Sequence, residues 1–208
     1  MGKYTAVAKD IINTLQTEAG VLLSKFDPTT GAIEDTDILG ATTGGFKFND
    51  TPTITDFGED IDNVPGQLDQ LQRITKRTVT LSSTFASMSE KAVKFVMGAC
   101  DATDISGANP DKKVRKITPR DTLKMDDFAN EIWWVGDYSQ YNEPDNANAG
   151  YIAIRLINAL STGGLAITTT KNSKGTMAFT ITGYYNESDV KAMPHETYIK
   201  EGKVADGK

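Results

Sequence analysis

The feature that most restricts this chain is the strict alternation of apolar and polar residues over its C-terminal half. From Thr176 to Tyr185, Met177, Phe179, Ile181 and Tyr185 fall on one side, and Thr176, Thr180 and Thr182 fall on the other. A period of two is the period of a half-buried strand, and threonine is itself a good strand former. Leu165 to Thr170 and Tyr151 to Ile157 repeat the pattern, and Glu131 to Asp137 adds a strand containing Trp133 and Trp134. Lys171-Asn172-Ser173-Lys174-Gly175 has hairpin length, and Gly163-Gly164 reads as another turn. These four segments predict a meander. Because neighbouring strand residues face opposite ways, at least one of the two tryptophans belongs to the core.

The N-terminal half predicts strands at Gly20 to Phe26, Gly45 to Asn49 and Arg77 to Phe85, the last with Val79, Leu81 and Phe85 on one face. One helix follows directly. Ser87 and Glu90 have capping-box spacing, and Ala92, Val93, Val96, Met97 and Cys100 recur as an apolar stripe that Gly98 should loosen at its end. A second, short helix is expected at Lys9 to Thr17. The fold class expected is therefore mainly β: an antiparallel sandwich or open barrel with one flanking α-helix and long loops. Its 208 residues suit a single domain spanning 1–208.

Two stretches carry no convincing regular pattern, 49–74 and 101–130. The first holds Pro52, Pro65 and Gly66, yet also Ile54, Phe57, Ile61, Val64, Leu68 and Leu71, which is too apolar for a plain linker. It is also where the charge collects. Between Asp27 and Asp69 ten acids face the single base Lys47, whereas the residues after Thr75 are nearly balanced. A net charge of -6 repels phosphates, which disfavours a nucleic-acid binder.

A search for chemistry finds little. His195 is the lone histidine and Cys100 the lone cysteine, so a two-His metal site, a Cys-based zinc site and an intrachain disulfide are all excluded. As a catalytic pair, Cys100 and His195 read better as a packed thiol and a surface imidazole. Asp56, Glu59, Asp60 and Asp62 miss the calcium-loop spacing, since Val64 and Pro65 stand where a further ligand is needed. Gly44-Gly45 and Gly163-Gly164 lack any phosphate-cradling pattern and read as turns. No cofactor, metal or catalytic residue is assigned. No apolar run of membrane-spanning or signal-peptide type occurs, and the expectation is a protein made in the cytoplasm.

Three segments carry a likeness. They are Thr55-Asp56-Phe57-Gly58-Glu59-Asp60-Ile61-Asp62-Asn63-Val64-Pro65; Thr78 to Phe85 leading into Glu90-Lys91-Ala92-Val93-Lys94-Phe95; and Ile117-Thr118-Pro119-Arg120 with Ile132 to Tyr138 and Asn158 to Gly164. In this order they resemble the major tail proteins of siphophages infecting Gram-positive hosts, the proteins of the tail tube. That resemblance implies a structural virion protein and not an enzyme. It implies six copies closing into a ring, with inner strands joined into one large barrel, and rings stacking head-to-tail into a hollow tube. It further implies tape-measure, tail-terminator and baseplate or tip proteins as partners, transient passage of genomic DNA, and a place in the virion tail. A lumen of acidic or neutral character would let DNA slide.

On that reading the 49–74 stretch is the arm that reaches a neighbouring copy, with Asp56, Phe57, Glu59, Asp60, Ile61 and Asp62 at the contact. Lys112, Lys113, Arg115, Lys116 and Arg120 are the basic cluster expected to receive it. The competing readings are a tail terminator, a capsid decoration protein, and a carbohydrate-binding β-sandwich module. The last requires Trp133 and Trp134 exposed on one platform.

Overall fold

The computed structural model describes residues 15–64, 66–107, 113–138, 149–189 and 191–202. Among these described residues ten strands and one α-helix follow in chain order: β1 (Val21–Leu23), β2 (Thr42–Asp56), β3 (Gln72–Phe85), α1 (Glu90–Met97), β4 (Cys100–Asp104), β5 (Arg115–Pro119), β6 (Ala129–Asp137), β7 (Tyr151–Ser161), β8 (Ala166–Thr168), β9 (Thr176–Gly183) and β10 (His195–Lys200). The mainly β, antiparallel class with a single helix stands. The helix expected at Lys9 to Thr17 lies largely outside the described residues.

Eight strands form one sheet along the path β1-β6-β7-β9-β3-β2, with β10 pairing β7 and β8 pairing β9. The sheet curls over its own core. Phe46 of β2, at one end of the path, meets Trp134 of β6 near the other end at 6.1 Å between ring centroids. Alternation decides which side chains are inside: Val79, Leu81 and Phe85 of β3 are fully buried, and so are Met177 and Ile181 of β9. Trp133 and Trp134 point to opposite faces. Trp134 packs on the main core, and Trp133 joins a smaller cluster with Leu23, Phe26, Val135 and Ala153.

The predicted meander is corrected. β7 and β8 lie along the same edge of β9, at Ala159–Ser161 against Gly183–Ile181 and Ala166–Thr168 against Ala178–Thr176. Gly163-Gly164 is thus an irregularity between two collinear pieces, not a reversal. Gly44-Gly45 is likewise no turn between strands: it sits inside β2, where the pairing with β3 shifts between Thr43 and Lys47, as a bulge requires. β10 has no counterpart among the expected strands. It lies along Tyr151–Leu156 of β7, so β7 gives the first half of one edge to β10 and the second half to β9.

The helix is also corrected at both ends. Its N-cap is Ser89, whose Oγ accepts from the Ala92 N–H at 3.1 Å. Ser87 instead accepts from the Ala41 N–H at 3.0 Å, tying the helix approach to the start of β2. Gly98 ends the helix with φ 70°, a left-handed conformation that glycine adopts without a steric penalty, so Cys100 opens β4 and lies off the helix. Ala92 and Val96 are fully buried. Phe95 packs edge-on against Phe85 and Phe179, and Ser161 Oγ donates to the Val96 carbonyl at 2.8 Å.

Candidate assembly interface

The stretch 49–74 is regular rather than irregular. Asn49 to Asp56 of β2 pair with Gln72 to Thr80 of β3, so most of it is a two-stranded ribbon. β3 pairs with β9 only over Val79–Phe85. Beyond that point the ribbon leaves the sheet, and Gln72–Thr78 has β2 as its one strand neighbour among the described residues. At about 3.4 Å per residue, Thr51–Asp56 carries the tip roughly 20 Å outward. Both faces of this arm are wet, which is why it shows no period-two apolar signal.

The root of the arm is fixed by charge. Asp50 on β2 forms an ion pair with Arg77 on β3, and His195 Nε2 of β10 stands 3.7 Å from the same carboxylate. The imidazole is only 16% exposed and packs 5.4 Å from the Phe48 ring. His195 is therefore no surface imidazole, and it has no association with Cys100, which belongs to the separate β4–β5 sheet. Beside this cluster a cavity of about 790 Å³ is lined by Asp50, Ile74, Thr75, Lys76, Arg77, Tyr185, Met193 and His195.

The six acidic-arm residues fall into two kinds. Asp56 builds the tip from within, its carboxylate accepting the Gly58 N–H at 2.8 Å and the Gln67 N–H at 3.2 Å. Phe57, Glu59, Asp60, Ile61 and Asp62 face outward. Phe57 is 58% exposed and Ile61 51%, and Ile54, Ile74 and Leu68 extend the same apolar display. None of these acids forms an ion pair among the described residues. Apolar side chains held in solvent on a paired ribbon, beside unpaired carboxylates, form a surface suited to a partner.

The basic cluster divides differently. Lys112 lies outside the described residues. Arg115 and Lys116 stand on β5, which pairs with β4 as a small hairpin inside the stretch expected to be a loop. Arg115 approaches Glu90 at 3.6 Å and Asp104 at 3.5 Å. Arg120 is only 14% exposed, pairs with Asp127, and holds Asp101 at 3.0 Å. The Lys124 N–H bond to Asp127, at 2.7 Å, and then the Arg120 guanidinium hold the Asp127 carboxyl below its usual range. Arg120 is thus an internal brace that ties the β4–β5 hairpin to the entry of β6. Lys113 and Lys116 are exposed and form no ion pair among the described residues. No ion pair joins this cluster to the arm among the described residues.

The free edges are the second element of the surface. β2 pairs only with β3 among the described residues, leaving one side of a 15-residue strand open. At the far end β1 covers only Trp133–Val135 of the nine-residue β6, with a single bridge from Gln16 to Tyr138 beyond it. An open edge as long as that of β2 presents unpaired N–H and C=O groups to another chain. Pro52, an exposed residue of the arm, removes one donor from the strand.

Trp133 is 2% exposed, and Trp134 is partly buried with its Nε1 donating to the Ala19 carbonyl at 3.1 Å. They offer no exposed aromatic platform. Among the described residues no group of three His, Cys, Asp or Glu side chains could hold a metal ion, and no helix is long and apolar enough to cross a membrane. No family model matches the chain, and no curated protein matches it.

Proposed function

We propose that this chain is a structural subunit that assembles through its sheet edges and its arm into rings, and through stacked rings into a hollow tube of the phage-tail type. The observation that carries the reading is the β2–β3 arm, a paired ribbon that leaves the sheet and presents Phe57 and Ile61 to solvent beside three carboxylates that form no ion pair among the described residues. A lone domain gains nothing from ordering such a ribbon, whereas a neighbouring copy gains apolar contact area and open backbone groups. The contact is heterologous: the arm of one copy meets a different surface of the next. Repetition of such a contact generates a closed ring or an open filament.

The likeness of the arm, of the strand-to-helix unit at β3–α1 and of the β6–β7 segments to siphophage major tail proteins supports the same assignment. The tube would have no catalytic role. A tail terminator would share the edges but stop at one ring, and a decoration protein would bind only capsid. Electron microscopy of the concentrated, purified protein decides between them. Hollow tubes or stacked rings are expected, single unstacked rings would favour a terminator, and a strictly monomeric protein at every concentration would overturn the assignment.

A further inference from the structure

A second concave site lies away from the arm tip. Met125, Asp126 and Phe128 from the short 3-10 turn before β6, Asn130 of β6, Asn158 of β7, and Tyr184 to Glu187 after β9 border a cavity of about 470 Å³. That volume is in the range of small-molecule sites. The geometry points to a binding site for a compact organic cation, of the quaternary or primary ammonium class.

Three observations on the lining fix the class. Phe128 and Tyr184 stand at 90° with centroids 5.4 Å apart, so two aromatic walls meet in a corner, and Tyr185 adds a third ring that is 40% exposed. Aromatic faces attract cations through their quadrupole, most strongly where the ligand sheds its water. Asp126 and Glu187 add two carboxylates to the lining, and among the described residues neither forms an ion pair and no Lys or Arg lines the cavity. An anionic ligand is disfavoured there, and an uncharged one would leave both carboxylates without a counter-charge.

The backbone supports a deliberate site. Asn158 has φ 48°, a left-handed conformation in the interior of β7, at the step where the edge of β7 passes from β10 to β9. Such irregularities re-aim side chains, and here the residue lines the cavity. By the pairing of Ala129 with Ala159 and Glu131 with Ile157, Asn130 stands opposite Asn158. Neither side-chain amide has a hydrogen-bond partner among the described residues, so both are free to accept from an ammonium N–H or an adjoining hydroxyl.

Titration calorimetry on the full chain tests this with choline against its uncharged isostere 3,3-dimethylbutanol, and with a neutral hexose as a third probe. Choline should bind, and the isostere should bind at least about fivefold more weakly, because the cation–π and carboxylate contributions are lost. Tyr184→Ala and Asp126→Asn should each weaken choline several-fold, while Asp126→Asn leaves the melting temperature unchanged because that side chain is exposed. No choline binding, equal binding of choline and isostere, or preferential binding of the hexose would each overturn the site. So would unaltered choline affinity in Asp126→Asn and Tyr184→Ala proteins that retain their fold.

Discussion

Replacing Phe57 and Ile61 together by serine removes the apolar display of the arm tip without touching the core. Both side chains are a little over half exposed in the single chain, at 58% and 51%. Full burial of such a side chain stabilises by about 1.5–3 kcal/mol, so covering the remaining half in a neighbour contributes about 1 kcal/mol each. The pair therefore contributes about 2 kcal/mol per arm, or roughly a 30-fold change in the association constant. The critical concentration for assembly, read by sedimentation of polymer, should rise by about that factor. Monomer stability should fall by no more than about 2 kcal/mol in urea, the contribution of the halves of these side chains already covered within the single chain, because Asp56 and the Phe57 N–H to Leu71 carbonyl bond still fix the tip. An unchanged critical concentration in a folded double variant would refute the docking role of the tip. A collapse of monomer stability would refute the account of the tip as externally directed.

Arg120→Ala should lower unfolding stability by about 1.5 kcal/mol, because Asp127 loses its charged hydrogen-bond partner but keeps the Lys124 N–H; guanidinium unfolding measures it, and a change below about 0.5 kcal/mol would restore Arg120 as a free contact residue. Asp127 also sets a pH dependence. Its folded carboxyl titrates below the unfolded value of about 3.9, so its contribution is present above that pH and is lost as the pH falls through the folded value. The stability gap between the wild type and Asp127→Asn should accordingly be largest near neutrality and close below about pH 4. Phe85→Ala should cost about 3–5 kcal/mol by thermal unfolding, since the ring is fully buried between α1 and β9. Gly20→Ala should also lower the melting temperature: the residue has φ 78°, and a Cβ would meet Trp134 Nε1 at 2.5 Å and the Val135 carbonyl at 2.6 Å.

What can be read from the sequence follows which surfaces are buried. β3, β6, β7 and β9 each bury one face or both, so Val79 and Leu81, Met177, Phe179 and Ile181, and Ile154 and Leu156 impose a visible period. The arm and the β4–β5 hairpin bury almost nothing in the single chain. Their alternation carries no apolar signal, and Pro52 and Pro119 read as loop residues although each lies within a strand. β10 is hidden for a related reason: His195-Glu196-Thr197-Tyr198-Ile199-Lys200 leaves Ile199 62% exposed and holds its place by pairing with β7. The helix cap stands two positions from the expected one because Ser87 and Ser89 are both competent caps, and the backbone at Ala41 claims the first. At the interface, the apolar and acidic character of 49–74 is legible in the sequence. The internal use of Arg120 is not, since its proximity to Asp101 and Asp127 arises only when β4, β5 and the entry to β6 come together.

Amide hydrogen exchange of the chain before and after assembly tests the central claim most directly, because it reads the open backbone groups themselves. Slowed exchange is expected along β2, from Lys47 through Thr55, and across the tip, with little change in the already protected β9. An assembled particle in which β2 and the tip exchange as fast as in the monomer would contradict the account.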